Sequence, residues 1–212
     1  VGISTWYGSG FPGTSGFDNM NKYGLTFDCL YNNLEYAAKE LFGIQLADLS
    51  QNLVDFFPEP DYNHFTISSI DSWASNTSNQ KVYIFNGTAL SGQSTNFSFA
   101  SAINTLAKSN PYVMFVISNK DATIIKRDNI KFADDIIEFD SFNLNENAYL
   151  STKCNLIVGR ASGAFTFAFN KTNLFDIGQT FICASNLSYK NKFWLGEMFE
   201  SRINYKSKII NQ

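Results

Sequence analysis

NLIVGRASG, residues 155–163, runs a short apolar strand directly into Gly, Arg, Ser and Gly. A strand that ends in small residues at a helix start exposes backbone N–H groups and the positive end of the helix dipole, and both favour an anion such as phosphate. The segment therefore predicts a strand-to-helix unit with a ligand site at its turn. Its neighbours decide whether it stands alone.

They repeat the alternation in both directions. Towards the C-terminus, GAFTFAFNKTNLF (163–175) predicts a helix, TFICAS (180–185) a strand and FWLGEMFESRI (193–203) a terminal helix. Towards the N-terminus lie a strand KVYIFN (81–86), a loop GTALSGQSTN, a helix in FASAINTLAKS (99–109) and a strand PYVMFVISN (111–119). A short strand at 130–132 and a helix at 145–153 complete the series. Strands that are apolar throughout, separated by helices, mean a parallel sheet covered on both faces. The expected fold class is α/β, a Rossmann-like parallel sheet with helices on both faces and a short N-terminal α/β extension.

That extension, residues 1–80, reads differently from the Rossmann-like domain at 81–212. It opens with a strand-like VGISTWY and a loop of turns, YGSGFPGTSGF (7–17). From Phe27 to Phe42 the apolar residues fall at helical spacing, and Gly43 sits where a C-cap belongs. Residues 44–80 are irregular, with an acidic Pro-containing stretch at 56–65 and a polar run, ASNTSNQ (74–80), that reads as a linker. A start at Val1 rather than Met suggests a fragment of a longer protein.

Composition narrows the function classes. With 212 residues and 44% hydrophobic content the chain can build a real core, and a net charge of -3 argues against a nucleic-acid partner. No stretch approaches the ~18 consecutive apolar residues of a membrane span, and no signal peptide stands at the start, so the expectation is a soluble, cytoplasmic protein. Cys29, Cys154 and Cys183 are odd in number and widely spaced, which suits reduced thiols. With one histidine, His64, and no CxxC pair, no metal site is expected. No GxGxxG or GxxxxGK[ST] occurs, so neither a dinucleotide nor a P-loop fingerprint is present.

In an open α/β sheet, ligands bind outside the carboxyl ends of the strands. Two loops qualify. After the strand at 81–86 come Asn86, Gly87, Thr88, Ser91, Gly92, Gln93 and Ser94; after the strand at 155–159 come Gly159, Arg160, Ala161, Ser162 and Gly163. Glycines allow a close backbone approach, Ser162 can donate to an oxygen, and Arg160 can pair bidentately with a phosphate. Gly and Ser also serve turns for conformational reasons alone. Further candidates are Glu197 and Glu200, three apart on one helix face and suited to ribose hydroxyls, although such faces are commonly just solvated. Asp18 and Asp28 are conceivable general bases, His64 a reserve acid or base, and Asp134 with Asp135 a Mg²⁺ pair or an exposed acidic turn.

The wording of residues 81–186 resembles the C-terminal, nucleotide-sugar-binding half of GT-B glycosyltransferases, in particular the heptosyltransferase-like group. KVYIFNGTALSGQS followed by FASAINTLAK looks like the strand, small-residue loop and helix that open that domain. AYLSTKCNLIVGRASGAFTFA looks like its later helix, strand and Ser-Gly turn against the donor phosphates, and it is the better match. Arg160-Ala161 departs from the polar or acidic pair usual before Ser-Gly, which leaves the donor open. Residues 1–80 are too few for a full acceptor lobe and would be a remnant or fragment of one.

The resemblance implies a hexosyl- or heptosyltransferase of bacterial cell-surface glycan assembly, moving a sugar from a nucleoside-diphosphate donor to a glycan or protein acceptor without metal or cofactor. Gly87, Thr88, Ser91, Gly92, Ser94, Gly159, Arg160, Ser162 and Gly163 would hold the diphosphate, Glu197 and Glu200 the ribose or base, and Asp18 would deprotonate the acceptor. The alternative is a non-catalytic nucleotide-sugar-binding or interaction module of a larger protein. Donor, acceptor and oligomeric state are not legible.

Overall fold

In a computed structural model the described residues are 38–45, 62, 67–77, 80–89, 94–138, 143–160, 162–184 and 208–211. The chain divides into two compact units, residues 1–57 with 188–205 and residues 58–187 with 206–212. Of the first unit only residues 38–45 are described. Residues 38–42 are helical, and the helix ends on Gly43 at φ +63°, whose N–H donates to the Lys39 carbonyl at 3.0 Å. This left-handed stop is the C-cap expected at that glycine.

The second unit is an all-parallel α/β sheet. Its strands are β1 (Gln80–Phe85), β2 (Val113–Ile117), β3 (Ile130–Phe132), β4 (Leu156–Arg160), β5 (Thr180–Ala184) and β6 (Lys208–Asn211). The core order is 3-2-1-4-5, with β6 added beside β5 and every pairing parallel. The helices are α1 (Ser68–Asn76), α2 (Ala100–Ser109), α3 (Leu144–Thr152) and α4 (Gly163–Thr166), with a π-helix at Thr172–Ile177.

Side chains alternate across a strand, so β1 shows how the two faces are covered. Ile84 joins Ile103 and Ala107 of α2, with Phe115, Ile117, Ile124 and Ile130, in one apolar cluster. Tyr83 and Phe85 face the other way: the Tyr83 hydroxyl is hydrogen-bonded to Asn147 of α3, and the Phe85 ring meets Phe165 edge-on at 5.8 Å. Phe165, Phe169 and Phe181 extend this second layer, the last two stacked at 4.5 Å. The expected sheet with helices on both faces is what these contacts build. A clasp braces its far edge: the Asn129 amide donates to the carbonyls of Ala107, Asn110 and Val113, tying the end of α2 to the start of β2.

Two expectations need correction. The run at 74–80 is not a linker, because residues 74–76 form the last turn of α1 and Gln80 opens β1. α1 docks through fully buried Ile70, and Asp71 receives both the Tyr149 hydroxyl and the Lys153 ammonium at 2.8 Å. The predicted helix at 163–175 is a single turn, α4, followed only later by the π-helix, which stops on Gly178 at φ 74°. One turn accumulates little macrodipole, so the anion argument made for this turn loses that support. The terminal helix expected at 193–203 lies outside the described residues.

Candidate functional site

In the arrangement 3-2-1-4-5-6, the order of strands across the parallel sheet reverses between β1 and β4, and the crevice beyond their carboxyl ends is the place where such sheets take ligands. Asn86, Gly87 and Thr88 leave β1 there; Gly159 and Arg160 end β4 there. The register that sets Phe85 opposite Gly159 brings the two loops together.

Arg160 dominates this crevice. It is only 3% exposed. Its Nη1 donates to the Asn86 carbonyl at 2.9 Å and to the Gly87 carbonyl, and its Nη2 to the Phe97 carbonyl. The guanidinium carbon lies 5.1 Å from the Phe97 ring centre and 4.8 Å from that of Phe99, close enough for cation–π attraction. Nε is buried without a partner, and among the described residues no carboxylate pairs with this side chain. Burial lowers the guanidinium pKa from its ordinary value, but an arginine keeps its charge at neutral pH. A buried positive charge that among the described residues meets just neutral carbonyls and aromatic faces costs roughly several kcal/mol in desolvation, a cost that an anion would relieve.

The described parts of the connection from β1 to α2, residues 86–89 and 94–99, are pinned. Asn96 clasps Ala89 in both directions, accepting from its N–H and donating to its carbonyl, each at 2.8 Å. Ser94 is buried and donates to the Ala184 carbonyl at the end of β5, at 3.1 Å. Asn86 is tied to the end of β2: its Oδ1 accepts from Ser118 Oγ at 3.0 Å and from the Asn119 N–H at 2.9 Å. The loop enters α2 with no acidic residue in the first turn and no side-chain cap from Phe99. The first N–H of α2, that of Ala100, is taken by Ser98 Oγ at 3.1 Å, and the Phe99 ring at the helix start lies on the guanidinium.

On the β4 side, Gly159 is required by packing, because a Cβ there would overlap the Phe165 ring. Ser162 caps α4, its Oγ accepting from the Phe165 N–H at 3.3 Å. Gly163 is exposed, with open space where a side chain would project. Gly87, Ser94, Gly159, Arg160 and Ser162 are thus knitted into the structure, while Thr88 and Gly163 are exposed. Asp18, Asp28, His64, Ser91, Gly92, Glu197 and Glu200 lie outside the described residues.

Asp134 and Asp135 sit after β3, two strands from the crevice. Asp134 pairs with Lys120 at 3.5 Å and Asp135 accepts from the Phe132 N–H at 3.3 Å. Among the described residues no group of three or more His, Cys, Asp or Glu side chains is arranged to hold a metal. None of their helices is long and apolar enough to cross a membrane. Cys154 and Cys183 are buried, and neither is in a disulfide.

Sequence reasoning passed over Asn96, Phe97, Phe99, Ser118 and Asn119. The signal was present only as an Asn or Ser at the end of a strand or loop, a pattern shared with ordinary turns. No protein-family model matches the chain, and no curated protein matches it.

Proposed function

We propose that the chain binds a nucleoside-diphosphate sugar in the crevice between β1 and β4, with the diphosphate at the N-terminus of α2 above Arg160, and passes the sugar to an acceptor hydroxyl. One observation carries the binding step: a guanidinium 3% exposed, without a carboxylate among the described residues, at the point where the order of strands across the parallel sheet reverses. Fixed positive charge and backbone donors aimed at one place stabilise a diphosphate, both as ligand and as leaving group. The transfer step rests on the resemblance of residues 81–186 to the donor half of GT-B enzymes, and Asp18 is the base proposed for it. In this reading the chain works where nucleotide sugars are made, in the cytoplasm.

Thermal unfolding with UDP-, GDP- and ADP-linked sugars tests the binding step. One of them should raise the melting temperature by several degrees, with a saturable dependence that Arg160→Ala removes. No stabilisation by any nucleotide sugar would sink the reading. Turnover is tested by release of the nucleoside diphosphate in the presence of acceptor glycans; saturable binding with no release selects the non-catalytic module instead.

A further inference from the structure

In a trans peptide the carbonyl of one residue and the N–H of the next point in opposite directions. No described peptide bond is cis. Arg160 gathers the carbonyls of Asn86, Gly87 and Phe97 on one guanidinium, so the N–H groups of Gly87, Thr88 and Ser98 are turned away from it. Arg160 is buried, whereas Thr88 and Ser98 are exposed, so away from the guanidinium means towards the surface. Among the described residues these three N–H groups have no hydrogen-bond partner. Ordinary loops leave N–H groups to water, but here two successive ones, at 87 and 88, are forced to one side by a shared Nη1.

A second observation concerns the guanidinium itself. Both N–H groups of Nη1 and one of Nη2 are spent on carbonyls, with the Phe97 and Phe99 rings against the guanidinium, so a phosphate oxygen would compete with the loop for most of the fork. Its charge still acts through the peptide groups it polarises, since hydrogen-bonded dipoles in series strengthen one another.

We propose that Arg160 is a positioning residue: by drawing three carbonyls inward it presents the N–H groups of Gly87, Thr88 and Ser98 as the donors that take the diphosphate. This rests on the crevice being the donor site and changes what touches the ligand. The backbone makes the contacts and the arginine stands behind them. Successive N–H groups on one side of a loop are a general anion-binding device.

The test is a titration of the isotope-labelled chain with inorganic pyrophosphate, followed by amide and arginine side-chain NMR. The amides of residues 87, 88 and 98 should move downfield together with one saturation curve, while the Arg160 Nε–H signal moves little. If Arg160 Nε–H instead shows the largest shift and those amides stay still, the positioning role is overturned although the donor-site reading survives. If no crevice signal saturates with pyrophosphate or with a nucleotide sugar, both fall. Arg160→Lys adds a second readout. It keeps the charge but cannot reach two loop segments with one planar fork, so pyrophosphate should bind at least about tenfold more weakly, the effect of one lost charge-assisted hydrogen bond. Unchanged affinity in that variant would overturn the proposal.

Discussion

Arg160, the last residue of β4, donates to the carbonyl of Asn86, the first residue beyond β1, at 2.9 Å, so one side chain bridges the two strands that flank the crevice. The bridge is structural before it is functional. Arg160→Ala strips three carbonyls of their donor and empties the space beside Phe97 and Phe99. The carbonyls are only part-buried, so water takes up some of the loss; with a buried charge also removed, the net expectation is a loss of about 1–3 kcal/mol. Urea denaturation of the variant against the wild type measures it.

Gly159→Ala should destabilise by about 1–3 kcal/mol through overpacking. Phe165, which the new Cβ would overlap, cannot yield easily because Phe85, Phe169 and Phe181 surround it. A lower urea midpoint with an unchanged slope is the expected result. Gly163→Ala, where nothing stands within reach, is the control and should shift the midpoint little.

Alkaline pH should weaken the fold through Cys154. Burial pushes its thiol well above the ordinary range, so the native state holds it protonated. Above the unfolded value, near 8.5 for a free cysteine, the unfolded chain releases that proton and the native state does not, so stability falls as pH rises beyond that point. Tyr83, also fully buried and raised, adds to the loss once pH passes about 10. In the native protein at pH 8 Cys154 should resist iodoacetamide and should become modified only on unfolding, as peptide mass mapping would show.

Acid should loosen α1. The Lys153 hydrogen bond, opposed by burial and helped by the Tyr149 hydroxyl, holds the Asp71 carboxyl below its usual value. A depressed carboxyl stabilises the fold above its unfolded value, near 3.9, and that contribution is lost as pH falls through the lower folded value. Hydrogen exchange at Trp73, in the body of α1, should accelerate relative to β1 amides as pH falls below about 4. Asp71→Asn should remove that difference.

The sheet was legible because both its faces are covered, so KVYIF, VMFVI and NLIVG are apolar without interruption, and a continuous run bounded by turn residues reads as a buried strand. α1 was hidden because SSIDSWASN is made of Ser, Asn and Asp, poor helix formers, around Ile70 and Trp73. β6 was missed for a related reason: Lys208–Asn211 has only two apolar residues and pairs on one side alone. GAFTFAFNKTNLF read as one helix, whereas the chain leaves the helix after one turn, with Phe165 and Phe169 wholly buried and Phe167 exposed. The site was half legible. Arg160 and the glycines stand out by type, but the partners of the arginine are backbone carbonyls 63 to 74 residues away, and a carbonyl leaves no mark in a sequence.

Asn96 has a consequence for how such a loop can change. Its side-chain amide both accepts from the Ala89 N–H and donates to the Ala89 carbonyl, so position 96 is fastened to position 89 twice over. An aspartate at this position keeps the acceptor but loses the donor, so Asn96→Asp should release the Ala89 carbonyl while leaving the Ala89 N–H in place.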